Sequence, residues 1–311
     1  MNMRIVIIGG TGHIGTYLVP RLVEAGHEVI VVCRGRRKPY QVHAAWSQVR
    51  MVEMDRPQME LGQAFGRSIA DLSPDVVVDL ICFDVDSARQ IVETLQDRAQ
   101  HLLHCGSMWV HGYKTETPSK EWHAKRPIGD YGLKKAAIED YLLQEVDQAR
   151  LPVSIIHPGH IVGPGWTPVN PQGNFNPEVY SRLQRGEEML LPGLGLETLH
   201  HVHADDVALG FMLAISKREQ ARGQSFQILS GSAITCRGYA GAIAGWYGQE
   251  ARLRFVSWET FRGQLSEQDA SQSWEHLLHS TSGSIEKAES LLGYQPRYSS
   301  LEAIREALGI V

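Results

Sequence analysis

Cysteine is scarce and scattered: four residues in 311, at positions 33, 82, 105 and 236, with no Cys-x-x-Cys pair. Three of them stand in apolar, strand-like runs, so they read as reduced core thiols and not as a disulfide framework or a zinc site. No apolar run approaches the length that spans a bilayer. No basic n-region, apolar h-region and cleavage site precede the first strand, so the expectation is a cytoplasmic protein without a membrane partner. Charge of one sign is not in excess: the net value is −5 at pH 7, which gives no general attraction to phosphate polymers, and nucleic acid is not the expected partner. Internal repeats and low-complexity runs are missing too. What remains is an ordinary globular composition, 43% hydrophobic and 21% charged, over a length that allows one large domain or two modest ones.

Glycine is the residue placed with evident purpose. Ile5-Val6-Ile7-Ile8 has the length and β-branched content of a buried strand, and Ile14, Leu18 and Leu22 recur every four residues, as on the inner face of a helix. Between them stands Gly9-Gly10-Thr11-Gly12-His13-Ile14-Gly15. Strand, glycine turn and helix place free backbone N–H groups and the positive end of a helix dipole against a pyrophosphate. A G-x-G-x-x-G match alone is weak, but here it has the context asked of a dinucleotide fingerprint. Gly9, Gly12, His13, Ile14 and Gly15 are therefore candidate cofactor-binding residues.

Further strands are expected at Glu28 to Cys33, Val49 to Met54, Asp75 to Ile81 and His101 to Cys105, alternating with helices at 58 to 72 and at Ser87 to Leu95, the latter capped from Asp86. This alternation predicts a Rossmann-like, doubly wound parallel sheet that binds its ligand beyond the strands' carboxyl ends. Arg34 follows the second strand, where an acidic residue would hold a ribose 2′-hydroxyl and an arginine accommodates a 2′-phosphate. NADP is thus modestly preferred over NAD, the alternative being a solvated basic loop from Arg34 to Lys38. Asp55, at the end of the third strand, is placed beside the adenine.

The fifth strand delivers Gly106-Ser107-Met108-Trp109-Val110-His111-Gly112 to the cofactor side. Asp130-Tyr131-Gly132-Leu133-Lys134-Lys135 then opens a helix running to about Arg150, and Tyr131 and Lys135 lie one turn apart on one face. An ammonium near a phenol lowers its pKa from about 10 toward the working range, which makes Tyr131 a candidate acid/base.

At this point the sequence resembles the extended, and in part the atypical, short-chain dehydrogenase/reductase superfamily, the NAD-dependent epimerase/dehydratase-like group. Its TGxxGxxG pattern is matched at Gly9, Gly12 and Gly15, its SSxxVYG at Gly106 to Gly112, and its Tyr-x-x-x-Lys at Tyr131 and Lys135. His157-Pro158-Gly159-His160-Ile161-Val162-Gly163-Pro164-Gly165 is similar to its R-P-x-x-x-x-G-P-G segment, His201 to Ala208 to H-V-x-D-D-V-A, and Leu292 to Pro296 to L-G-x-x-P. The resemblance implies that Tyr131 is the general acid/base, that Lys135 tunes it and holds the nicotinamide ribose, that Ser107 binds the oxygen of the carbon exchanging hydride, and that Pro158 borders the cofactor. Family dehydratases carry an Asp-Glu pair after the serine or threonine; Met108 and Trp109 stand there, which disfavours dehydration and leaves oxidation/reduction or epimerisation. The Arg-Gly after the second strand and the Gly-Pro-Gly-Trp loop are closer to an atypical branch that also includes chloroplast stem-loop RNA-binding proteins.

From Gly159 the composition shifts to a loop crowded with glycine and proline, read as the start of a smaller C-terminal α/β lobe covering the substrate. The expected domains are 1–158, binding NAD(P), and 159–311, binding a sugar-like small molecule, with some segments of the second returning to the sheet of the first. Candidate substrate contacts are Ser107, Trp109, His111, Trp166 as a stacking face, Asn174 as a hydroxyl-binding amide, and His201. No metal is expected, since His201 and His203 lack a third ligand. Asp205 or Asp206 caps a helix to Ser216. The function read here is an NAD(P)-dependent oxidoreductase or epimerase acting on a hydroxyl/keto carbon of a sugar or nucleotide-sugar, with a homodimer expected from the resemblance. The competing reading is a cofactor-binding fold serving RNA binding or regulation.

Overall fold

The computed structural model describes residues 2–148 and 151–310. The strands are β1 Arg4–Ile8, β2 Glu28–Cys33, β3 Arg50–Glu53, β4 Val76–Asp79, β5 His101–Cys105, β6 Val153–Pro158, β7 His160–Val162, β8 Met189–Pro192, β9 Thr198–Leu199, β10 His201–His203, β11 Gln224–Ile228, β12 Ile234–Thr235 and β13 Leu253–Val256. Seven of them form one parallel sheet in the order β11-β6-β5-β4-β1-β2-β3. The order reverses between β1 and β4, where Ile5 pairs with Val76 and Ile8 with Asp79. The two connections leaving this point run to opposite faces and open a crevice beyond the strand ends.

Alternation along the strands explains why both faces are covered. Ile5, Ile7, Val29, Val31, Val76 and Val78 enter one core with Leu18, Leu22 and Phe211, from the helices His13–Glu24 and Ala204–Ser216. Val6, Ile8, Ile30, Val32 and Val77 enter the other with Phe65, Ile91 and Ile138, from the helices Phe65–Ala70, Val85–Leu95 and Gly129–Asp147. A third core, with Tyr180, Leu183, Leu191, Tyr239 and Ile243, belongs to the later residues, whose strands pair as β7 with β10, β9 with β12 and β8 with β13. β11, by contrast, returns to the main sheet against β6.

Several local expectations are corrected. The single helix over 58 to 72 is two, Arg56–Leu61 and Phe65–Ala70, broken where Gln63 takes φ 53°. The helix Val85–Leu95 is capped by Asp84 and not Asp86, its carboxylate accepting from the Ser87 N–H at 2.8 Å. The helix opened at Tyr131 spans Gly129–Asp147, and residues 149–150 lie outside the described residues. The cap of Ala204–Ser216 is His203, whose Nδ1 accepts from the Asp205 N–H at 3.1 Å. The Asp205 carboxylate is instead claimed by two guanidiniums, Arg21 at 2.7 and 2.8 Å and Arg297 at 2.7 Å, while Asp206 accepts the backbone N–H groups of Arg297 and Tyr298.

Candidate active site

The glycine loop leaves β1 with Gly9 at φ +84°, in the left-handed region that a side chain resists. A Cβ on Gly15 would lie 2.1 Å from the Gly10 carbonyl oxygen, so the helix starts in direct backbone contact with the loop. Its N-cap, Gly12, makes no side-chain bond, and the first-turn N–H groups stay free for an anion. The loop is open, not blocked: Gly9, Thr11 and Gly12 border a cleft of about 630 Å³ that continues past Arg34, Arg36 and Arg37 to Met54, Pro57, Phe65 and Phe83. A phosphate-binding turn, arginines at the end of β2 and an apolar slot behind them fit an adenine dinucleotide. Ile14 is 6% exposed and faces the core, so only its backbone is available. Asp55 does not face the slot; its carboxylate meets Arg36 at 3.3 Å. The wall there is formed by Arg56, buried and tied to Glu60 and Asp79 at 2.6 and 2.8 Å, which sequence reasoning missed. Pro158 closes β6 in register with Ile228 and is buried in the sheet.

Beyond the carboxyl end of β5, Ser107 lies close enough to Tyr131 for its hydroxyl to favour the ionised phenol. Ser107 is held by the Trp109 N–H, donated to its Oγ at 3.2 Å. Lys135 is buried beneath, donating to the carbonyls of Cys82 at 2.8 Å and Cys105 at 2.7 Å, with Nζ 5.9 Å from the Tyr131 ring centre. The expectation that the ammonium lowers the phenol is corrected: loss of hydration around the hydroxyl dominates and pushes Tyr131 up to about 12, with Ser107 opposing it, while the residue as a whole keeps 42% of its surface exposed. The ammonium is occupied by two carbonyls, and burial moves its own pKa down. In this state Tyr131 is a protonated phenol.

Rings surround the phenol. Trp109 stands edge-on to Tyr131 at 5.6 Å, stacks on His279 at 4.0 Å and 12°, and meets His276 at 5.4 Å. His276 in turn contacts Phe175 and His160. His276 and His279 come from the helix Glu267–His279, which sequence reasoning did not identify. His160 carries two buried ring nitrogens without hydrogen-bond partners among the described residues.

Three of the expected substrate contacts are buried: His111, Asn174 and His201. His111 is 2% exposed behind the site, with Nε2 3.2 Å from the Gln227 amide nitrogen. His201 is fully buried and spends Nε2 on the Val169 carbonyl at 3.0 Å. Asn174 is fully buried, its Oδ1 accepting from Asn170 and Asn176 and its Nδ2 donating to Ser273. Trp166 lays one face of its indole on His13 at 3.7 Å and 5°, which leaves only the other face for a sugar. His157, which replaces the arginine of the resembled pattern, forms a buried pair with Glu139 at 3.0 Å and holds that carboxyl down at about 2, although burial pulls the other way. Glu139 was legible, being one turn beyond Lys135 on the same helix.

Residues 5–228 match the family model described as the NAD dependent epimerase/dehydratase family. The chain belongs to this family. As a member it is an NAD-dependent enzyme. This epimerase/dehydratase family member is 30% identical over 139 residues to the 2′-dehydrokanamycin reductase of Streptomyces kanamyceticus, a match covering 45% of this chain and 37% of that protein. It is 24% identical over 321 residues to the chloroplast stem-loop binding protein of 41 kDa b of Arabidopsis thaliana, covering 99% and 79%. In fold it resembles the UDP-glucose 4-epimerase of Thermotoga maritima, solved with UDP-glucose, with TM-score 0.75 at 20% identity over 99% of this chain and 98% of that one. No helix among the described residues is long and apolar enough to cross a membrane.

Proposed function

We propose that this family member transfers hydride between NAD(P) and a hydroxyl/keto carbon of a sugar derivative, acting as a reductase or dehydrogenase, with residues 1–158 carrying the cofactor and later residues the substrate. The observation that carries the reading is the convergence of Ser107 and Tyr131 beside the buried Lys135, whose Nζ lies 5.9 Å from the phenol ring centre. Two hydroxyls on one carbonyl oxygen polarise it, and a phenol that stays protonated gives up its proton as charge develops there. The cofactor, when bound, supplies the hydride. Lys135, anchored on the Cys82 and Cys105 carbonyls, keeps a third N–H for the ribose side. Trp109 and Met108 occupy the positions after Ser107, and neither supplies an acid or base for removing water. Arg34 and Arg36 at the cleft favour a 2′-phosphate, hence NADP.

The test is turnover of keto-sugar and sugar-nucleotide substrates, followed by nicotinamide absorbance. Stoichiometric NADPH consumption supports the redox reading. Interconversion of sugar epimers with no net change in absorbance replaces it with epimerisation. The full-length match to a stem-loop binding protein motivates one control: a salt-dependent gel shift with structured RNA, together with no turnover, would sink the enzymatic assignment in favour of RNA binding.

A further inference from the structure

Outside the reacting groups, a cluster of three rings packs at the start of the first helix, just beyond the glycine loop. His13, the first residue of the helix that follows the glycine loop, is held on two sides. Its ring lies flat on Trp166 at 3.7 Å, and its Nε2 meets the Tyr40 hydroxyl at 2.9 Å. Tyr40 is fixed in turn. Its N–H donates to Thr16 Oγ1 at 3.1 Å, its ring stands edge-on to Trp166 at 4.9 Å, and a Cβ on Gly165, at φ +105°, would come within 2.7 Å of it. Trp166 donates its indole N–H to the Ile161 carbonyl at 3.2 Å. Burial, with Arg37 nearby, holds His13 down at about 4, so the ring stacks as a neutral aromatic near neutral pH.

These residues come from three separate stretches: the glycine loop, the segment after β2, and the Gly163-Pro164-Gly165 turn after β7. The cluster therefore does more than fill space. The free N–H groups at the start of the helix hold a diphosphate only when their directions are fixed, and a loop fixed beforehand loses less entropy on binding. We infer that Trp166, His13 and Tyr40 form a latch by which the second half of the chain pre-organises the diphosphate loop, making Trp166 a positioning residue for a cofactor it does not touch. This rests on the NAD(P) reading above and goes beyond it by assigning cofactor affinity to a residue of the later half.

The test is titration of the purified full chain with NADPH, followed by nucleotide fluorescence, alongside thermal melting. Trp166→Ala is expected to raise the NADPH Kd about tenfold by loss of the stacked pair, and Trp166→Phe, which keeps a ring, by less than about threefold. Tyr40→Phe isolates the hydroxyl bond, with a rise of about threefold, and stays informative if Trp166→Ala does not fold. In steady state, KM for the cofactor rises while kcat at saturating cofactor is held. A folded Trp166→Ala protein with an unchanged Kd, or a Tyr40→Phe protein with an unchanged Kd where Trp166→Ala fails to fold, would overturn the latch. Failure of the wild-type protein to bind either nucleotide would instead overturn the functional reading on which it rests.

Discussion

Acidification from about pH 7.5 to about pH 5 is expected to cost this protein most of its stability, because buried imidazoles are held neutral. His101, His111 and His201 are 0, 2 and 0% exposed, and each is pushed down to about 3, chiefly by burial. His101 faces Ser154 Oγ at 2.8 Å, and His201 uses its N–H on a carbonyl; neither has a carboxylate to pair with a positive ring. A depressed imidazole stabilises the fold fully above the unfolded value near 6.5 and progressively less as pH falls toward the folded value, since only the unfolded chain takes up the proton. At about pH 5 each has lost roughly 2 kcal/mol, and the three together roughly 6, a large share of a typical domain's total. Burial of His200, down at about 4, acts with the same sign. Glu139 adds nothing in this window, because its stabilisation is lost only below about pH 4.5, as the folded carboxyl at about 2 is approached. Urea unfolding at several pH values measures the slope, and His201→Gln, which keeps a donor toward Val169, should remove about one proton's share of it. Unfolding free energies agreeing within about 1 kcal/mol at the two pH values would refute the argument.

Tyr131→Phe removes the proton donor and should lower kcat by about 10² to 10⁴-fold with cofactor affinity unchanged, measured by nicotinamide absorbance and fluorescence titration. The wild-type reductive rate should stay flat through neutral pH and fall only at alkaline pH, as the phenol near 12 ionises; a fall centred near neutrality would show that another group limits the rate. Gly15→Ala places a methyl against the Gly10 carbonyl, and should weaken NADPH binding by about 1 to 3 kcal/mol, which calorimetry would read directly. Arg34→Glu should shift the NADPH-to-NADH ratio of kcat/KM toward NADH by about tenfold or more, a loss expected for one charge-assisted bond; an unaltered ratio would mean that the arginine serves only as solvated surface.

The parts legible in the sequence are those in which a local pattern and the tertiary contact coincide. β1, β2 and β4 are largely continuous apolar runs because both faces are buried, and Tyr131 and Lys135 meet the loop at Ser107 because helix period and strand end place them there. The helix Glu267–His279 was not legible, because its inward face is built from Ala270, Ser273, His276 and Leu277, too polar to show an apolar period. The neighbours of Lys135 depend on carbonyls at the ends of two different strands. The occupation of Trp166 depends on residues more than a hundred positions away. Asn174 and His201 have the right chemistry for a ligand, but the fold uses their hydrogen bonds internally.

β11 carries a consequence for anyone wishing to isolate the nucleotide-binding half. A fragment ending after Pro158 retains every glycine of the loop and all three hydroxyl and amine groups of the reacting end. It would also leave Val153–Pro158, buried along its whole length, as a naked rim of unpaired amides and carbonyls beside an uncovered apolar surface. Such a rim recruits another copy's strand, so the excised piece should precipitate or pair with itself along Val153–Pro158, an edge that β11 covers in the intact chain. The proposed coenzyme site lies within residues 1–158, but the sheet supporting it is completed only some seventy residues later.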